Sequence, residues 1–197
     1  MTSGESATVL VVDDEPDVAD AYAAQLEAKY DVETAYSGQE ALDNITAAVD
    51  VVLLDRRMPG ISGDEVLEKI RERDLKCRVA MVTAVDPDFD IIEMGFDDYV
   101  IKPVSRDDLY ATIDRLLTTA DYESQIQEFY SMSAKKATLA ANKPQAELAR
   151  SEEFAELEDR IDELRDGLAE TVANFDDDDF EAVFRDFGGQ TAGTVEE

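Results

Sequence analysis

The chain has no histidine and no tryptophan, and only one cysteine, Cys77, among its 197 residues. Without histidine there is no imidazole metal ligand, no imidazole general base and no Ser-His-Asp triad. A single thiol excludes an internal disulfide framework and a multi-cysteine zinc site, and points away from an oxidising compartment. Cys77 itself reads as a small apolar residue beside a strand. Long hydrophobic runs are missing too. Val9–Val12 and Val51–Leu54 fall far short of the roughly 20 apolar residues that cross a bilayer. The opening MTSGESATVL carries no basic flank before its apolar stretch and does not read as a secretion signal. The expectation is a soluble, cytoplasmic protein with no membrane partner.

Positive charge is scarce. There are 48 acidic side chains against 18 basic ones, for a formal net charge of −30. This acidity does not imply disorder, because disordered acidic chains lack apolar residues and this one is 44% hydrophobic. A localised acidic patch would suggest a basic partner, but the acid is spread throughout. Residues 1–118 carry 27 acidic and 11 basic side chains, and residues 119–197 carry 21 and 7. Carboxylates distributed this way keep a surface hydrated in concentrated salt, where repulsion is screened within about 3 Å at 1 M. A halophilic adaptation is expected.

Along residues 6–118, short apolar runs alternate with amphipathic stretches. Strands are predicted over Thr8–Asp13, Tyr30–Ala35, Asp50–Asp55, Arg78–Ala84 and Asp98–Ile101. Helices are predicted over Pro16–Lys29, Ser37–Ala48, Asp64–Asp74, Asp88–Met94 and Ser105–Thr118, the last opened by an S-x-x-D capping box at Ser105 and Asp108. Five strands alternating with five helices imply an α/β doubly wound parallel sheet, with its site beyond the carboxyl ends of the strands. From Asp121 the β signal stops. Tyr122, Ile126, Phe129, Ser133, Ala137 and Ala140 trace a helical face over Asp121–Asn142. Lys143-Pro144 breaks it, and Gln145–Asn174 follows with a seam of Phe154, Leu157, Ile161, Leu164 and Leu168. The expectation is an all-α hairpin or short coiled coil over 121–187, with a last short helix over Phe175–Phe187 and a flexible tail over 188–197.

Chemistry concentrates at the strand ends. Asp13 and Asp14 follow one buried run and Asp55 follows another. Any one of them could simply open a turn or cap a helix. Three together, with Thr83 ending a third strand and Lys102 after a fourth, suggest a carboxylate cleft for a hard cation such as Mg²⁺. A lysine ammonium and a threonine hydroxyl could then cradle a phosphoryl group on Asp55. The Lys102-Pro103 bond is of the type that can be cis, which would fix the aim of the lysine.

The motifs VVDDEP, LLDRRMPGISG, VTA and DDYVIKP, in this order and spacing, resemble the receiver domain of two-component response regulators over residues 6–118. The resemblance implies a flavodoxin-like five-stranded fold and phosphorylation of Asp55 by a sensor histidine kinase. It implies that Asp14 and Asp55 bind Mg²⁺ directly, that Asp13 acts through water and that Arg57 offers its backbone carbonyl. Thr83 and Tyr99 would form a switch pair, and Lys102 would pair with the phosphate; Tyr99 has a plain alternative as an aromatic packing on the edge of the sheet. The stretch from Thr83 to Lys102 is about one helical turn short for such a domain, so an abbreviated fourth helix is expected. The missing histidine fits: the phosphate must come from another protein's histidine.

The carboxy-terminal segment resembles the HalX-type domain that follows receivers in halophilic archaea. That points to transcription regulation through DNA or the transcription machinery at residues 121–187. Net acidity opposes general attraction to phosphates, and Lys135, Lys136, Lys143 and Arg150 form the one basic cluster. The alternative is a phosphorylation-controlled protein–protein interaction module without DNA binding, and the Phe154–Leu168 seam either packs the hairpin on itself or forms a homodimer. A Mg²⁺-dependent phosphatase with an aspartyl-phosphate intermediate is a third reading. It is disfavoured because such enzymes need Asp-x-Asp at the end of the first strand, where this chain has adjacent Asp13 and Asp14, so the chain is expected to be no enzyme beyond slow self-dephosphorylation.

Overall fold

The computed structural model describes residues 6–174. Five strands, β1 (Thr8–Val12), β2 (Asp31–Ala35), β3 (Val51–Leu54), β4 (Arg78–Thr83) and β5 (Asp98–Ile101), pair in parallel in the order β2-β1-β3-β4-β5. Helices α1 (Pro16–Leu26), α2 (Gly38–Asn44) and α3 (Gly63–Glu72) and the first part of α4 (Arg106–Asn142) alternate with them, with a 3₁₀ turn over Phe89–Glu93 between β4 and β5. The alternation of strands and helices leads to a doubly wound sheet, and the order is the flavodoxin-like one that the resemblance implies. Successive strand residues face opposite sides of the sheet, so β1 and β3 must be apolar throughout to serve two cores. Leu10, Val12, Val52 and Leu54 pack with Val66, Leu67 and Ile70 of α3. Val9, Val11, Val51 and Leu53 pack with Ala19 and Leu26 of α1 and Leu109, Ile113 and Leu116 of α4.

Several helix boundaries differ from expectation. α1 stops at Leu26, and the amides of Lys29 and Tyr30 both donate to the Leu26 carbonyl in a turn. α2 stops at Asn44 rather than Ala48. The two helices expected over Ser105–Thr118 and Asp121–Asn142 are the single helix α4. Nothing between Leu117 and Tyr122 breaks a helix, and Thr119 is buried. The capping box opening α4 is present, with the Asp108 amide donating to Ser105 Oγ and the Ser105 amide to Asp108 Oδ2, both at 3.2 Å. The abbreviated fourth helix is the 3₁₀ turn.

The residues group into two units that divide between Leu117 and Thr118. In the second unit, the helix expected over Gln145–Asn174 is two: α5 (Gln145–Leu148) and α6 (Glu152–Asn174). Ser151 restarts the helix, its Oγ accepting from the Phe154 amide at 3.1 Å. Arg160 pairs with Glu128 and Lys136 with Glu158, which sets α6 antiparallel to α4. Phe154, Ile161 and Leu164 are buried and Leu157 and Leu168 half-buried, as the seam predicts. On α4 the covered face holds Tyr122, Ile126, Phe129 and Ser133, but Ala137 and Ala140 are exposed; Met132 and Lys136 are half-buried there instead. The last helix and tail expected beyond Asn174 lie outside the described residues.

In the first unit, Tyr30 anchors the start of β2 to α4. Its ring is buried, and its hydroxyl donates to Asp114 at 2.7 Å beside the Lys29–Asp114 pair. Burial, then the Asp114 hydrogen bond, push this phenol from 10.0 up to about 12. An acid whose folded pKa is raised stabilises fully below the unfolded value, and its contribution disappears as pH rises through the folded one. Alkaline titration should therefore show one phenol ionising near pH 12, with stability declining from pH 10 upward. Tyr30→Phe should remove that late phenol from the tyrosinate absorbance curve; a curve unchanged by the substitution would refute the assignment.

Candidate functional site

The strand order reverses between β1 and β3: β2 lies on one side of β1, while β3, β4 and β5 lie on the other. The residues after these two central strands therefore meet at the mouth of a crevice. The Asp55 amide donates to the Val12 carbonyl at 2.9 Å and the Asp13 amide to the Ala35 carbonyl at 3.1 Å. This pairing places both side chains at neighbouring strand ends, where both residues are buried. Lys102 reaches in from the end of β5, whose neighbour β4 accepts its amide on the Thr83 carbonyl at 2.8 Å. Its Nζ lies 2.5 Å from Asp13 Oδ2 and 2.9 Å from Asp55 Oδ1. The Lys102-Pro103 peptide is cis.

The second oxygen of each carboxylate also accepts a hydrogen bond. Glu15 donates its amide to Asp13 Oδ1 at 3.0 Å, and Arg57 donates its amide to Asp55 Oδ2 at 2.7 Å. Burial by itself would depress the Lys102 pKa, but hydrogen bonds to Asp13 and Asp55 outweigh it and the net shift is upward. The ammonium stays charged. A residue overlooked in the sequence, Tyr22 of α1, feels the same field. Its phenol is raised first by burial, while Lys102 opposes the rise and Asp13 and Asp55 add to it.

Asp13, Asp55, Lys102 and Thr83 thus collect at one end of the sheet. Thr83 is buried and its Oγ1 accepts from the Val85 amide at 3.4 Å. Asp14 is half-exposed and turns into the adjoining cleft, which Arg56, Arg57, Met58 and Val85 also line. Asp13 and Asp55 share the Lys102 ammonium, and Asp14 lines the cleft beside Arg57. Among the described residues, no group of three or more acidic, histidine or cysteine side chains is arranged to hold a metal. The donor chemistry nonetheless suits a hard cation, because a single ammonium is already within 3 Å of both buried carboxylates. Mg²⁺ needs only one or two protein carboxylates, since it retains water. Tyr99 packs against Phe96 with ring centroids 5.5 Å apart, and its hydroxyl donates to the Val85 carbonyl at 2.8 Å.

The response regulator receiver domain model matches residues 9–114, more than half of the chain. The chain belongs to the response regulator receiver family. A HalX domain follows at residues 118–184. A putative transcriptional regulator of Haloferax volcanii is 48% identical over 158 residues, which is 80% of this chain and 27% of that protein. The alkaline phosphatase synthesis transcriptional regulatory protein PhoP of Bacillus subtilis is 35% identical over 61% of this chain and 52% of its own length. The chain thus spans about a quarter to a half of these relatives. Among solved structures, the receiver domain of a putative LuxO repressor from Vibrio parahaemolyticus aligns over 61% of this chain and 97% of its own, with TM-score 0.57 and 26% identity. The beryllofluoride-activated DrrB receiver aligns over 57% of this chain and 97% of its own, with TM-score 0.52 and 30% identity. No described helix is long and apolar enough to cross a membrane.

One backbone contact fixes the loop after β3. The Gly63 amide donates to the Arg56 carbonyl at 3.0 Å, and a Cβ on Gly63 would lie 2.1 Å from the Asp55 carbonyl oxygen. Only glycine lets α3 start this close to the strand. Gly63→Ala should lower denaturant stability by about 1–3 kcal/mol and displace the Asp55 loop, read as shifted amide resonances around residues 55–57. Wild-type stability in that variant would refute the close approach.

Proposed function

We propose that this receiver accepts a phosphoryl group on Asp55 from the phosphohistidine of a partner sensor kinase, and that this modification switches the helical unit. The observation that supports it best is the pairing of buried Asp13 and Asp55 with the single Lys102 ammonium. An Asp55 oxygen attacks phosphorus in line, the P–N bond to the donor histidine breaks, and the leaving imidazole takes a proton from water. Lys102 then pairs with an oxygen of the new phosphoryl group while still facing Asp13. Thr83, one strand away, is placed to donate its hydroxyl to another. Tyr99 would complete the switch by turning inward once Thr83 moves.

Asp13, Asp14, Asp55 and the Arg57 carbonyl are the groups that would hold Mg²⁺. When bound it supplies positive charge for the transferring phosphoryl oxygens. Nothing in this arrangement needs a second substrate pocket, so the reading is of a stoichiometric switch, not a turnover enzyme.

Acetyl phosphate with Mg²⁺ should add one phosphoryl group to the wild type, located at Asp55 by peptide mass mapping. Chelating the metal should slow labelling on the order of tenfold or more. Asp55→Asn should accept none, and labelling that persists in that variant would sink the assignment.

The names of the relatives support an output on transcription. A second reading, action through protein contacts without DNA, is favoured by the fate of the basic cluster. Lys136 pairs with Glu158 and Lys143 with Glu147, so two of its four cations already face carboxylates. Genome-wide crosslinking of the tagged chain separates the two: direct DNA contact by the hairpin requires enriched sites that vanish when residues 121–197 are deleted. Sites that survive the deletion would exclude the hairpin as the DNA-contacting part.

A further inference from the structure

Arg56 follows the acceptor residue directly, yet its side chain is only 11% exposed. Its Nε donates to Asp64 at 3.0 and 3.3 Å, and Nη2 adds a contact at 3.3 Å. The same Nη2 pairs with Asp90. One cation thus joins the residue after the end of β3 to the start of α3 and to the 3₁₀ turn.

The 3₁₀ turn has little else to hold it. None of residues Phe89–Glu93 is buried, and Phe89 and Ile92 are 86% and 76% exposed. A segment without buried apolar contacts opens easily, so its attachment here is largely electrostatic. The wall it forms is strongly acidic: Asp14, Asp64, Asp86, Asp88 and Asp90 share one cleft with Arg56 and Arg57. A phosphoryl group carries about −1.5 to −2 charges in place of the carboxylate's −1, and extends that charge outward from Asp55. Placed next to Arg56, it would compete for the guanidinium and repel these aspartates together.

We propose that Arg56 is an electrostatic latch: it holds the Phe89–Glu93 turn in the unmodified chain, and a phosphoryl group on Asp55 releases it. The release half rests on the phosphoacceptor role of Asp55; the holding half does not. Limited chymotrypsin digestion of the full chain reads both, with cleavage after the exposed Phe89 followed by mass spectrometry. In the unmodified chain Arg56→Gln should be cut there about fivefold faster or more, since loss of the ion pairs lowers the cost of local opening. Arg56→Lys should fall between the two. Cleavage after Tyr130, and the rate at Phe89 in urea, should be the same for all three proteins.

Labelling with acetyl phosphate should bring the wild type to the Arg56→Gln rate and change Arg56→Gln little. Equal cutting of unmodified wild type and Arg56→Gln would overturn the latch. So would a wild type that carries the phosphoryl group by mass and is cut no faster. Failure of the wild type to take the label would overturn the phosphoacceptor reading and the release with it, whereas faster cutting of unlabelled Arg56→Gln would still establish the holding contact.

Discussion

Two carboxylates buried at adjacent strand ends repel one another, and the ammonium of Lys102 between Asp13 and Asp55 is what makes the arrangement tolerable. A buried charge without a partner costs several kcal/mol, so the position of this lysine constrains everything that leads to it. It requires β5 beside β4, and β3 beside β1. It also requires the loop after β5 to turn back over the sheet. The same pairing keeps negative charge concentrated at a point that a cation or a phosphoryl group can approach. Stability and chemistry thus draw on one interaction.

The sheet serves that interaction by its parallel order. Every strand ends at the same edge, so loops distant in sequence deliver Asp13, Asp55, Thr83 and Lys102 to one place. The core is split into two layers, one under α2 and α3 and the other under α1 and α4. Apolar burial is dense around β1 and β3 and absent from the turn between β4 and β5. Rigid support therefore lies beneath the carboxylates, and the least anchored segment lies beside them, tied down by Arg56.

The large negative charge divides into two kinds. Most carboxylates are exposed and spread over both units, where they act on solvation more than on any partner. A few are paired. Asp97 accepts from Arg71 and Arg78, Asp64 and Asp90 hold Arg56, and Glu128 and Glu158 bind cations across the hairpin. With only 18 basic side chains in the chain, several of the scarce cations sit at junctions between elements, which is where a charge deficit would otherwise loosen the fold.

Short, continuously apolar runs with carboxylates at their ends made the parallel sheet, its two-sided core and the residues Asp13, Asp55, Thr83 and Lys102 legible in the sequence, because these depend on local pattern and on motifs of short span. The heptad seam of α6 was legible for the same reason. The joining of two expected helices into α4, the Ser151 interruption between α5 and α6, and the end of α1 at Leu26 were not. They depend on which residues other elements cover, as buried Thr119 illustrates. Asp14 is half-exposed where Asp13 is buried, a difference in burial that sequence adjacency hides. The involvement of Arg56 and Tyr22 was likewise invisible: an arginine beside an aspartate is common, and its partners Asp64 and Asp90 stand on two other elements. Sequence by itself determined which groups carry the charge; only the tertiary structure decided which of them neutralise each other, because Coulomb attraction depends on distances that the fold sets.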